Sequence, residues 1–374
     1  MDPLQPPTAA GDSLRIERGL CYVMFAYDAA RYIDLEKAEK RIHETTERQT
    51  IRHKRRTPNY FEYQPPPLRV SYGGAAVQIE ACLARPNVDL ILYDFGAVAA
   101  LYSLPIAGSF DQLLRLSEEL YDNAFLLSDS RKRVGELLKV LDDAATYASL
   151  APVVEDYVIF HVESLSQSLD PSQFVASHYR QIAQILRAES RPLSDQEVED
   201  ALSAKLSYGR EDLAVIDWNA ALLIDRDGDD VREVLQFANV ELLEMRYLDM
   251  KLDGALDTSY VALSPRAGRF GLYGSRLRSV GELQVDNATL FEGVNNALKL
   301  LGDQYLARIY RLVSRRFHLD DWDASILRKL QTLESIYQKM SDQAATRRME
   351  VLEWVIIILF VFSIVLELIK FGSK

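Results

Sequence analysis

The residues able to do chemistry are few in this 374-residue chain. Its five histidines are His43, His53, His161, His178 and His318. None has a second His or a Cys at ligand spacing, so a metal site would have to be assembled from distant segments. His161 lies in an apolar run just after Glu155 and Asp156. An acid/base pair is conceivable there, and a polar cluster at a strand edge is the plainer reading. Asp217, followed by Trp218, is a third carboxylate of interest, although a Trp after an Asp in a strand usually packs beside a turn. Gly268, Gly271 and Gly274 are interleaved with Arg266, Arg269 and Arg276. That turn could cradle phosphate, yet it follows no strand and matches neither the P-loop nor the dinucleotide pattern, so a flexible connection is expected. The GxSxG, HExxH and CxxC patterns are absent. The sequence therefore assigns no catalytic residue, no cofactor, no metal and no small-molecule substrate.

One dense basic patch stands out: Arg48, Arg52, Lys54, Arg55 and Arg56, with Tyr60, Phe61 and Tyr63 following. Three roles are open to it. It can be a solvated helix end, a surface drawn to anionic lipid, or a contact for RNA or the ribosome that uses cations on phosphate and aromatics for stacking. The net charge of −12 argues against a general nucleic-acid binder. Cys21 and Cys82 sit in apolar runs, forming neither a disulfide framework nor a zinc pattern, and suit a reducing interior.

The elements that would position these residues divide the chain in four. Residues 1–14 are Pro-rich and expected to be disordered. Residues 15–226 read as an α+β domain with a mainly antiparallel sheet. Strands are expected at Leu20–Tyr27, within Arg69–Ala84, at Glu155–Val162, and as a pair over Ala214–Asp225. Val88–Leu104 reads as a hairpin turning at Asp94-Phe95-Gly96, where glycine supplies positive φ. Helical patterns cover Leu35–Arg52, Phe110–Phe125, Arg131–Tyr147, Phe174–Leu186 and Asp195–Leu206.

Residues 227–349 change character and read as a coiled-coil-like bundle of long helices. Val231, Leu235, Ala238, Leu242, Met245, Asp249, Leu252 and Leu256 form a heptad seam with one polar interruption. A second seam starts at Leu290, Val294, Ala297 and Leu301. A third runs through Ile326, Leu330, Leu333, Tyr337, Met340 and Ala344. Antiparallel packing within one chain and pairing between chains are both open, the third seam being the candidate for homo-oligomer contact. Residues 350–370 then read as a transmembrane helix. Trp354 to Leu366 is apolar apart from Ser363, its flanks extend it to Val351–Ile369, and Trp354 sits where an aromatic belt would lie. Trp354, Ile357, Phe360 and Ile364 are its expected lipid-facing residues.

The stretch from Trp322 to Glu367, with RRMEVLEW ahead of the apolar helix, closely resembles the C-terminal end of the YagE-like family, named for "required for meiotic nuclear division". LILYDFGAV, EDYVIFHVE and DLAVIDWNAALLIDRDG followed by ANVELLEMRYLDMKLD resemble it too, in the family's order. The resemblance implies a domain of unknown function with largely uncharacterised bacterial members. It also implies a mitochondrial member at the inner membrane that supports translation. Without a presequence, the chain is expected to be a bacterial member at the inner (cytoplasmic) membrane with its soluble part in the cytoplasm, or a processed organellar one. The function expected is a non-enzymatic, membrane-anchored scaffold that self-associates through its C-terminal helices and presents the α+β domain to a protein partner. The alternatives are RNA or ribosome tethering through the basic patch, and an enzyme in which Glu155, Asp156 and Asp217 converge in one pocket.

Overall fold

A computed structural model describes residues 14–46, 51–53, 66–73, 77–79, 82–167, 170–263 and 304–372. The disordered start expected over 1–14 falls almost wholly outside these residues. So do the glycine-rich turn and the first four positions of the second seam.

The strands are β1 (Arg15–Asp28), β2 (Tyr32–Ile33), β3 (Ile51–His53), β4 (Leu68–Gly73), β5 (Gln78–Ile79), β6 (Cys82–Leu83), β7 (Asn87–Leu92), β8 (Ala97–Ser109), β9 (Ala145–Thr146), β10 (Glu155–Leu165), β11 (Lys205–Leu206), β12 (Leu213–Ile216) and β13 (Ala220–Ile224). Nine of them form one sheet in the order β11-β12-β13-β10-β1-β8-β7-β4-β3. Every pair is antiparallel except β10 with β13, where Phe160 stands opposite Leu222. β1 is central because LCYVMFAY is apolar on both faces, which only a strand covered on both sides tolerates. Cys21 lies between Leu104 of β8 and Phe160 of β10.

The hairpin between β7 and β8 turns at the expected glycine. Gly96 has φ +107°, and a Cβ there would lie 1.8 Å from the Ala30 carbonyl oxygen. Its own carbonyl accepts hydrogen bonds from the Ala29 and Ala30 amides at 3.1 and 3.2 Å. The turn thus fixes the hairpin and clips down the chain leaving β1.

Helices α1 (Leu35–Thr46), α2 (Phe110–Leu120), α3 (Ala124–Leu141), α4 (Pro171–Arg187) and α5 (Asp195–Ala201) supply the apolar cover of one sheet face. Cys21, Val23, Phe25 and Tyr27 point into that cluster with Tyr102, Leu104 and Phe160. α2 begins with a capping box: the Gln112 amide N–H donates to Ser109 Oγ and the Ser109 N–H to Gln112 Oε1. Such a cap contributes about 1 kcal/mol. α3 starts seven residues earlier than its apolar spacing predicts. Asp122 takes φ +50° and Asn123 caps the Leu126 amide at 2.9 Å, starting a new helix at once.

The opposite face carries Tyr22, Met24, Ala26, Leu101, Tyr157 and Ile159, all buried. Over it lies the first half of α6 (Asp229–Leu263), buried almost without interruption from Val231 to Glu241. Arg232 donates to the Tyr22 hydroxyl at 2.9 Å, and Arg246 pairs with Glu155. α7 (Gln304–Arg316) packs beside it, Tyr310 donating to Glu241 at 2.7 Å. Phe317, just past α7, meets the Tyr157 ring edge-on at 5.4 Å.

By contacts the chain forms two units: Met1–Tyr247 with Thr289–Trp322, and Leu248–Ala288 with Asp323–Lys374. Within the second, α6 beyond Leu248 meets α8 (Leu319–Gly372). Lys329 reaches Asp249 at 2.7 Å and Asp253 at 2.6 Å, and Ser259 Oγ donates to the Tyr337 hydroxyl at 3.3 Å. Residue numbers rise together along both helices. The two stretches therefore run parallel, where an antiparallel bundle was expected. Asp249, the one polar position of the α6 seam, is answered by a lysine of this same chain.

The expected C-terminal transmembrane helix is corrected. Among the described residues no helix is long and apolar enough to cross a membrane. Trp354, Ile357, Phe360 and Ile364 lie on α8, whose apolar run from Val351 to Val365 contains Glu353. Fifteen helical residues reach roughly 22 Å, against a hydrocarbon layer of about 30 Å. Extending the run past Leu366 means crossing Glu367. The flanks expected to lengthen the run to Val351–Ile369 carry Glu353 and Glu367 and do not make it a span.

Candidate functional site

The two ends of α8 are used differently. Ile326, Leu330, Leu333 and Tyr337 are buried within the second unit, so this chain fills its own third seam. The Met340 side chain lies outside the described residues. From Val351 to Val365 the side chains are bare. Trp354 is 65% exposed, Ile357 50%, Phe360 69% and Ile364 52%. Four consecutive residues, Trp354 to Ile357, are exposed, and at 100° per residue they sample the whole circumference. An apolar surface this continuous is larger than a lone chain ordinarily shows.

The candidate carboxylates have separate partners. Glu155 is buried and paired with Arg246. Burial outweighs that cation and pushes its carboxyl up to about 7. Asp156, next on β10, points to the other side of the strand, where burial and then Asp122 raise it. Asp217 has no exposed side-chain surface. Its Oδ2 lies 2.6 Å from Arg187 Nε and its Oδ1 2.9 Å from Arg316 Nε. The Trp218 amide also donates to Oδ1, at 2.8 Å. Arg316 continues to Asp200 at 2.8 Å and Arg187 to the same oxygen at 2.5 Å. Hydrogen bonding to Arg316 holds the exposed Asp200 down at about 2. Tyr157 donates to the Asp217 carbonyl at 2.8 Å, and Trp218 stands half-exposed with the Arg187 guanidinium 5.9 Å from its ring.

This constellation is a clamp. Two arginines neutralise a carboxylate that burial would otherwise make very costly, and they tie α4, α5 and α7 to the β12–β13 turn. Each of its charged side chains has an opposite charge beside it. Asp217 was singled out from the sequence. Arg187 and Arg316 were not, because nothing local to either announces a partner so distant in the chain.

His161 is buried, with Nε2 2.9 Å from the Asp225 carbonyl oxygen and Nδ1 without a partner. Gly228 packs on the ring so closely that a Cβ would meet Nε2 at 2.9 Å. The histidine is a packed core group, and Glu155 and Asp156 are not among its hydrogen-bond partners. Among the described residues no group of three or more His, Cys, Asp or Glu is placed to hold a metal ion. Of the basic patch, Arg52 is on β3 with its backbone opposite Ser71. Arg48, Lys54, Arg55 and Arg56 lie outside the described residues, as does the Arg52 side chain.

The family described as "Uncharacterized protein MJ0711, N-terminal domain" matches residues 18–230, more than half of the chain. The chain is also similar to "Uncharacterized protein MJ0711" of Methanocaldococcus jannaschii, with 24% identity over 262 residues, covering 69% of this chain and 74% of that relative. No solved structure matches. The matched residues take in the sheet from β1 to β13 and the Asp217 side of the clamp. On that match, the chain belongs to the MJ0711 N-terminal domain family.

Proposed function

We propose that this protein is a self-associating, non-enzymatic scaffold whose copies join through the apolar end of α8 and which offers its sheet domain to protein partners. The single observation behind this is the bare run from Val351 to Val365. A helix apolar on every side needs neighbours on every side. A bundle of identical helices meets that need, with apolar stretches matched in length. The heptad frame of Ile326, Leu330, Leu333 and Tyr337 runs on through Met340, Ala344 and the charged Arg347 to Val351, Trp354, Ile358, Val361 and Val365, and is apolar again from Val351. α6 covers the first part of that frame, and a second copy covers the last. Half-exposed side chains of this kind gain on the order of 1 kcal/mol each on burial, enough in sum to offset the cost of association.

The test is the mass of the full-length chain in solution on dilution, beside an Ile358→Glu, Val361→Glu double variant. A wild-type multimer that becomes a monomer in the variant supports the proposal. A monomeric wild type overturns it. So does a chain that floats with phosphatidylcholine vesicles as single copies, or a variant of unchanged mass.

A further inference from the structure

The structure holds a second unclaimed feature, in the sheet unit and independent of self-association. Between the first turns of α6 and strands β4 and β7 lies a cavity of about 30 Å³, room for about two water-sized groups. Its polar lining is Arg69, Glu233, Gln236 and the buried Tyr93, and its apolar lining includes Pro67, Ile91 and Phe237. Arg69 Nη2 and Arg232 Nη2 both approach Glu233 Oε1, at 3.8 and 3.9 Å. Glu233 Oε2 is buried without a partner. Gln236 is 2% exposed, and its Nε2 likewise has none. Residues 233 and 236 are neighbours on one helix face, so a bare acceptor and a bare donor stand side by side.

We propose that this cavity binds the head of a small primary carboxamide carrying a short apolar tail. The carboxamide oxygen accepts from Gln236 Nε2, its NH₂ donates to Glu233 Oε2, and the tail lies against Ile91 and Phe237. Other small ligands fit less well. A carboxylate would bring a second anion against Glu233. An alkylammonium would satisfy Glu233 alone, leave Gln236 bare, and face the Arg69 and Arg232 guanidiniums. Two ordered waters would match the volume without using the apolar lining.

The experiment titrates propionamide, propionate and propylamine into the full-length protein at pH 8, where Glu233 is ionised, and follows ligand signals by saturation-transfer NMR. Saturable binding of propionamide in the millimolar range is expected, with neither charged analogue competing. Gln236→Leu should weaken it about tenfold, the value of one hydrogen bond to a charged-site neighbour. Gln236→Met, which keeps the side-chain length, should do the same and covers the case in which the leucine variant misfolds. Equal or tighter binding of propionate or propylamine overturns the proposal. So does the absence of saturation by about 0.1 M, a generous limit for a ligand of five heavy atoms, which would leave waters as the occupants.

Discussion

The two faces of the sheet are covered by helices of opposite chemistry. On one, α1 to α5 bring an apolar cluster in which Phe160, Leu222, Phe174 and Ile182 are fully enclosed. Polar groups there mostly pair with one another, as Tyr102 donates to Asp129 at 2.7 Å and the Tyr27 and Ser130 hydroxyls pair at 2.8 Å, with the Tyr72 hydroxyl the exception. On the other, α6 sets Arg232, Gln236 and Asn239 on a single stripe facing the strands, at spacings of four and three. Arg232 Nε, Gln236 Nε2 and both amide atoms of Asn239 are buried there without partners. Each such group costs about 1–3 kcal/mol. The first face is specified by volume and contributes stability. The second gives up stability for polar geometry, which is where a protein keeps what it uses.

The largest expected effect is at the clamp where both helical layers meet the sheet. Asp217→Ala removes the buried carboxylate that Arg187 and Arg316 share, leaves them only the partly exposed Asp200 in common, and should cost about 3–5 kcal/mol in denaturant unfolding. On the apolar face, Leu222→Ala should cost about 3 kcal/mol through lost contacts and a cavity, measured the same way. Were it nearly neutral, the apolar face would not be the stabilising one.

The polar face should reveal itself through pH. Burial raises both Glu155 and Glu233 from the ordinary 4.5 to about 7. The folded state therefore holds these protons more tightly than the unfolded chain. Their contribution is most favourable below pH 4.5 and is lost as pH rises to about 7, on the order of 2–3 kcal/mol for each. Glu233→Gln should match the wild type near pH 4 and exceed it at pH 8. Equal wild-type and variant stability across that range would remove the distinction between the faces. The smallest effect is a gain. Asn239→Leu should raise stability by about 1–2 kcal/mol, because an unpartnered buried amide is exchanged for an apolar side chain.

Local signals in the sequence were read correctly where one element settled the matter. The doubly apolar run LCYVMFAY became the central strand, Asp94-Phe95-Gly96 became the hairpin turn, and the α+β class with a mainly antiparallel sheet followed from them. Errors arose where the answer depended on a distant partner. The direction of pairing between α6 and α8 is set by Asp249, Asp253 and Lys329, and heptad spacing alone does not distinguish parallel from antiparallel. The clamp joins Arg316 to a carboxylate whose own neighbours are apolar. At the apolar end of α8 the expected span takes in Glu353 and Glu367 near its ends, and the apolar stretch between those two charges is too short to cross a bilayer. Helix starts moved for a local reason that apolar spacing does not carry, as at Asn123.

The Asp217 clamp also sets an order of events during synthesis. Arg316 follows Asp217 by 99 residues, and Arg246, Tyr310 and Phe317 likewise emerge after the last strand. At about 5–20 residues per second, α6 follows the last strand within seconds, while the part of that face under α7 and Phe317 waits roughly 5–20 s for its cover. During that interval Tyr157, whose ring meets Phe317, is open to chaperones and to neighbouring nascent chains, and the domain becomes self-contained only when α7 has left the exit tunnel.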